Sequence, residues 1–204
     1  MFERSLQLAD FKSILQENPQ VKDLEEDGLI VNYEALAQHY GIATNMMDMT
    51  NSPLVAAFFA TTRYDASTDT YSPMLNYVSM GIIYLSPWGD LFNTSEKNRI
   101  WPIGQEALKR PGEQRAFAMV MDKGSNFDMA SFRFWHSREA SLKVWKMTKG
   151  GTMFFPYDPM VEKILAMKKK RIYSLQNLEK IYNSNPNFAD SLQHAKQIME
   201  KEGC

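Results

Sequence analysis

The chain predicts an α+β fold: N-terminal helices, a mainly antiparallel sheet, and a C-terminal helical tail. Three observations carry this. Apolar residues recur at helical spacing in the first part of the chain. Beyond residue 80 they gather instead in short runs bounded by Pro, Gly and Asp, and from Met160 onward helical spacing returns with dense charge. A chain of 204 residues is long for one small domain and short for two. We therefore expect a body over residues 1–158, with residues 159–204 forming a helical segment packed on it and Pro156 to Pro159 marking the boundary.

The first helix is read from Leu8, Phe11, Ile14 and Leu15, and Asn18-Pro19 stops the pattern. A second fits Asn32 to Tyr40, where Tyr33, Leu36, Ala37 and Tyr40 share a face and Gly41 supplies the break past a helix end. The next starts at Ser52, a good N-cap, with Pro53 in the first turn, where a missing N–H costs nothing. Leu54, Val55, Phe58 and Phe59 are its core face. Tyr64 to Tyr77, rich in Asp, Ser and Thr, reads as a surface loop. Residues 81–86, 116–121 and 141–147 read as strands, the last half-exposed with Lys143 outward and Val144 inward. Val161, Ile164 and Leu165 form one helical stripe, Leu175, Leu178, Ile181 and Tyr182 another, and Asp190 to Glu202 a final helix.

Composition excludes several functions. The 23 basic and 24 acidic residues nearly cancel, to net charge -1, so the chain has no electrostatic footprint for DNA or RNA. The single cysteine, Cys204, rules out an internal disulfide framework and a cysteine-rich zinc site. His39, His136 and His194 lie far apart without metal-ligand spacing, so no metal is expected. No signal-peptide run and no apolar stretch near the ~20 residues of a membrane span is present, and a cytoplasmic, membrane-free protein is the expectation. Gly-rich phosphate loops, nucleophile elbows and dinucleotide fingerprints are absent from the sequence.

The chemistry-bearing side chains concentrate between His39 and Pro53, read as one connection between apolar segments that lines the main cleft. His39 serves as a general base or ligand contact, or, more commonly for a lone histidine, holds the following turn. Asp48 orients His39 or accepts from backbone amides that would otherwise be buried unpaired. Thr50, Asn51 and Ser52 stand at a helix start, which favours an anion such as phosphate, although capping alone accounts for them. Arg110 and Gln114 form a second polar cluster just before a strand. His136 and Glu139, in a loop entering a strand, are a weaker acid/base pair, and Phe154-Phe155-Pro156 a Pro-fixed aromatic turn.

The stretch His39-Tyr40-Gly41-Ile42-Ala43-Thr44-Asn45-Met46-Met47-Asp48-Met49-Thr50, followed by Pro53, Ala56, Phe59 and Ala60, resembles the FRG domain, a family found mostly in bacteria and phages. There the segment reads approximately His-Tyr-Gly-Leu-Pro-Thr-Arg-Leu-Leu-Asp-Trp-Thr before a small-residue helix. The likeness is good over 33–60 and looser over 81–158, where Gln114, Phe117 and Phe154 to Asp158 fit family elements. Asn45 replaces the usual arginine and Met49 the usual tryptophan. The Phe-Arg-Gly strand that names the family should lie well upstream and has no room here, so either the first strand was lost or the chain is a fragment. The resemblance and the reading of the side chains together give a candidate site drawn from His39, Tyr40, Thr44, Asp48, Thr50, Asn51, Ser52, Arg110, Gln114 and Glu139. It is compatible with an ADP-ribosyltransferase-like enzyme acting on NAD. Absence of the first-strand arginine instead favours a ligand-binding or interaction module without an evident cofactor, recognising a phosphate-containing small molecule or a protein partner.

Overall fold

A computed structural model describes residues 2–65, 68, 70–76, 79–86, 100–103, 108–121, 130–170 and 174–184, with 193 and 197. The elements are α1 (Phe2–Gln16), α2 (Pro19–Glu26), α3 (Tyr33–His39), β1 (Met46–Thr50), α4 (Pro53–Thr61), β2 (Thr62–Asp65), β3 (Thr70–Pro73), β4 (Met80–Leu85), β5 (Ile100–Pro102), α5 (Lys109–Glu113), β6 (Ala116–Val120), β7 (Ala130–Trp135), α6 (Arg138–Met147), a 3-10 turn at Lys149–Gly151, α7 (Pro159–Lys170) and α8 (Leu175–Ser184). This is the mixed α+β class, with helices at both ends and every strand pairing antiparallel. The described part of the Asp190–Glu202 helix is limited to Gln193 and Gln197, both helical.

The chain divides into two compact units, one of residues 1–44 with 159–204 and one of residues 45–158. In the first, α1 meets α2, α3, α7 and α8. Phe11 and Leu15 are buried on it as their helical spacing requires, and Val21, Leu36, Ile164 and Leu178 of the same unit are buried as well. Asn18 does more than stop α1: its side chain accepts from the Gln20 amide at 2.9 Å and starts α2, with Pro19 in the first turn. Asp10 is buried on the same helix. Its carboxylate accepts from Asn177 Nδ2 at 2.6 Å and from the Ser174 amide at 3.3 Å, tying α1 to the start of α8. Burial raises its pKa above the ordinary carboxylate value, and the bonds from Asn177 and Ser174 oppose that rise.

The second unit holds a three-stranded sheet, β1-β6-β5, and two ribbons, β2-β3 and β4-β7. Phe58 of α4 is its centre, ringed by Phe59, Tyr71, Trp145, Phe154 and Phe155 at 5.4 to 6.3 Å. Gly151, at φ 88°, lies so close beneath Phe58 that a Cβ would sit 2.5 Å from Cζ of the ring.

Four sequence expectations are corrected here. The connection from His39 to Pro53 contains a strand, β1, whose Met46 to Thr50 pair with Val120 to Ala116. The surface loop at Tyr64 to Tyr77 holds the β2-β3 hairpin, because Tyr64 and Tyr71 face each other across it with ring centroids 5.0 Å apart. Residues 141–147 are not a strand but most of α6. Ser137 accepts from the Ala140 amide at 3.3 Å and starts the helix, and Ser141, Val144 and Thr148 then recur along one face at helical spacing. Finally, His136 lies between β7 and α6, where a loop leading into a strand was expected.

Candidate functional site

The ten candidate residues are divided between the units. His39, Tyr40 and Thr44 belong to the helical one. His39 occupies the last turn of α3, where a charged imidazole would suit the helix dipole, and Tyr40 is buried with its ring 5.8 Å from Phe11. Thr44 donates to Gln38 Oε1, closing the turn that follows α3. Gly41 takes φ 73°, and its carbonyl accepts from Lys168 Nζ of α7 at 2.8 Å. Nothing in the sequence near Lys168 signals that contact, since it joins positions 127 apart.

In the strand-bearing unit, Thr50, Ser52, Arg110 and Gln114 come together. The Thr50 hydroxyl donates to the Gln114 carbonyl at 2.7 Å and accepts from the Ser52 amide at 3.0 Å. Ser52 in turn caps α4, its Oγ accepting from the Val55 amide at 3.4 Å. Arg115, at φ 45°, turns the chain between α5 and β6, so that Gln114 faces inward and is buried while Arg115 is exposed. Gln114 Nε2 then donates to the Phe154 carbonyl at 3.1 Å. A single relay thus ties the end of β1, the α5–β6 turn and the aromatic turn at Phe154. Arg110 lies beside it with its guanidinium carbon 5.1 Å from the centre of the Phe155 ring, which stacks on Tyr71.

Asp48 sits mid-strand opposite Ala118 and is exposed, while the other residues of β1 are half-buried. Asn51 is exposed beside Thr50. Glu139 is exposed in the first turn of α6, where its charge suits the positive helix end, and no hydrogen bond among the described residues joins it to Thr50, Ser52, Arg110 or Gln114. His136 is buried with its ring edge-on to Phe134 at 5.4 Å.

The start of α4 has little left for an anion. Pro53 has no N–H, the Val55 amide is held by Ser52 Oγ and that of Ala56 by the Ser52 carbonyl. Only the Leu54 amide in that first turn has no helical or capping partner. Among the described residues no cluster of His, Cys, Asp and Glu could hold a metal ion, and no helix is long and apolar enough to cross a membrane.

Residues 2–69 match the FRG domain. The FRG match runs from α1 through β2 and includes α1 and α2, which lie outside the motif; the looser likeness over 81–158 falls beyond it. No curated protein and no solved structure matches the chain.

Proposed function

We propose that this FRG-domain chain is a non-catalytic interaction module. The observation that supports this reading is the use made of the motif side chains: Thr50, Ser52 and Gln114 hold the backbone of three separate segments in place. A hydroxyl that already donates to a carbonyl and accepts from an amide is a scaffold element rather than a nucleophile, which needs an adjacent base. A transferase acting on NAD expels nicotinamide and would need a cation to hold the pyrophosphate of the ADP-ribose it keeps, and the family resemblance puts Asn45 where an arginine is usual. A phosphate-containing ligand would find one amide at α4, too few for a strong anion site, so a protein partner fits better.

The test is to incubate the purified chain with labelled NAD and a cell lysate. No labelling above that of the heat-denatured chain is the expected result. Robust labelling that is lost in Glu139→Gln would replace the module by the transferase.

A further inference from the structure

The turn between α2 and α3 is fixed from both sides. Asp27 ends α2, Gly28 takes φ 79°, and the Gly28 and Leu29 amides donate to the carbonyls of Glu25 and Leu24 at 3.0 Å, closing the helix end with two bonds. Asn32 then caps α3, its Oδ1 accepting from the Ala35 amide at 3.0 Å. Each device has a place for one apolar neighbour. Leu29 stands where a helix end of this kind packs a side chain back toward Leu24, and Val31, half-buried, stands where a helix start packs one toward the buried Leu36. Ile30, between them, serves neither. It is 82% exposed, and Leu29 beside it 57%. In a chain whose charges nearly cancel, Asp23, Glu25, Glu26 and Asp27 place four exposed carboxylates just before this pair. Against them stand Lys22 on the same helix and Lys12 of α1, held over the Tyr33 ring at 5.0 Å.

We propose that Leu29 and Ile30 anchor this module to a basic amphipathic helix of a partner protein. The proposal rests on the interaction-module reading and names its surface and the class of its partner. An exposed apolar side chain is by itself ordinary on a protein surface. What singles out this pair is the fixed turn that carries it and the acid beside it. Because the backbone on either side of Ile30 is already hydrogen-bonded, little ordering remains to be done on binding. Charge then selects the occupant. Nucleic acid and an anionic bilayer both present phosphate, which the carboxylates of α2 repel. A wholly apolar partner would strip water from Glu26 and Asp27 and return no cation. A helix with an apolar stripe flanked by lysine or arginine supplies both needs: Leu29 and Ile30 enter the holes between its apolar side chains, and its cations meet the acidic end of α2.

The experiment uses fluorescence anisotropy of a labelled, capped peptide, Leu-Lys-Lys-Leu-Leu-Lys-Lys-Leu-Leu-Lys-Lys-Leu-Leu-Lys, whose leucines share one helical face, and its counterpart with Glu in place of every Lys. The full chain should bind the Lys peptide at least about tenfold tighter than the Glu peptide, one factor of ten being about 1.4 kcal/mol. Ile30→Ser, which leaves every charge in place, should weaken the Lys peptide at least about fivefold. Glu26→Lys should narrow the preference between the peptides, and Trp135→Ser, at a residue 67% exposed in the other unit, should change neither. Melting temperatures verify that the variants, all at exposed positions, are folded. Equal binding of the two peptides, binding of neither, Lys-peptide binding unchanged in Ile30→Ser, a preference unchanged in Glu26→Lys, or an equal loss in Trp135→Ser overturns the proposal. So does a dimer by sedimentation that Ile30→Ser abolishes, which makes the occupant a second copy, or binding to phosphatidylglycerol vesicles that Ile30→Ser abolishes, which makes it a membrane. NAD labelling is a separate readout, so failure of the module reading and failure of this surface are distinguishable.

Discussion

Thr50 and Gln114 show how one side chain can hold several segments. Replacing Thr50 by Val keeps its shape but strips the acceptor from the Ser52 amide and the donor from the Gln114 carbonyl. Each part-buried bond lost this way costs about 1 kcal/mol net, so Thr50→Val should lower the urea midpoint while Thr50→Ser, which keeps the hydroxyl, should recover most of it. A midpoint for Thr50→Ser below that of Thr50→Val would show that the methyl group, not the hydroxyl, is what matters. Gln114→Ala leaves the Phe154 carbonyl without its side-chain donor and should destabilise by ~1 to 3 kcal/mol. Asp48→Ala, at an exposed position, should stay within about 0.5 kcal/mol of the parent. The contrast matters because the sequence marks both as polar residues of one motif, and only their surroundings separate them.

Among the elements, α6 is the instructive case. Lys143, Val144 and their neighbours alternate polar and apolar, which a short window reads as a strand. The cap at Ser137 decides otherwise, because it fixes the first turn and places Ser141 and Thr148 on the inner side. Ser137→Ala should cost about 1 kcal/mol, read as a lower melting temperature; an unchanged value would mean that packing alone holds the helix. At the turn that follows α6, Gly151 meets two demands at once, a left-handed backbone and contact with Phe58. Gly151→Ala should therefore destabilise by about 1 to 3 kcal/mol, with a loss of near-ultraviolet circular dichroism as the aromatic cluster loosens.

On the scale of the molecule, Asp10 couples the stability of the helical unit to pH. Its folded-state pKa is raised, first by burial, so its contribution is fully present below the ordinary carboxylate pKa and is lost as pH rises through the raised value. Wild-type stability measured against Asp10→Asn should accordingly fall as pH is taken from acid toward neutral. Urea unfolding of both chains across that range gives the difference directly, and a difference independent of pH would remove Asp10 as its source.

Local chemistry in the sequence determined where helices begin. Asn18-Pro19 and Ser52-Pro53 are starts whatever surrounds them, because capping involves only the next three residues. It also determined the α+β class, through the change of period after residue 80, and the motif that lies within the FRG match over 2–69. Strands were less legible. β1, β5 and β7 owe their conformation to partners as distant as Met46 and Val120, and pairing at that separation leaves little local trace, while β2 and β3 pair locally in a segment whose polar residues read as a loop. The candidate site was half readable for the same reason: composition gathered Thr50, Asn51 and Ser52, but only folding brought Gln114 to Thr50 and Phe154 and turned Asp48 outward. Side-chain identity is a property of the chain, whereas burial and hydrogen-bond partnership arise from contacts between segments far apart along it.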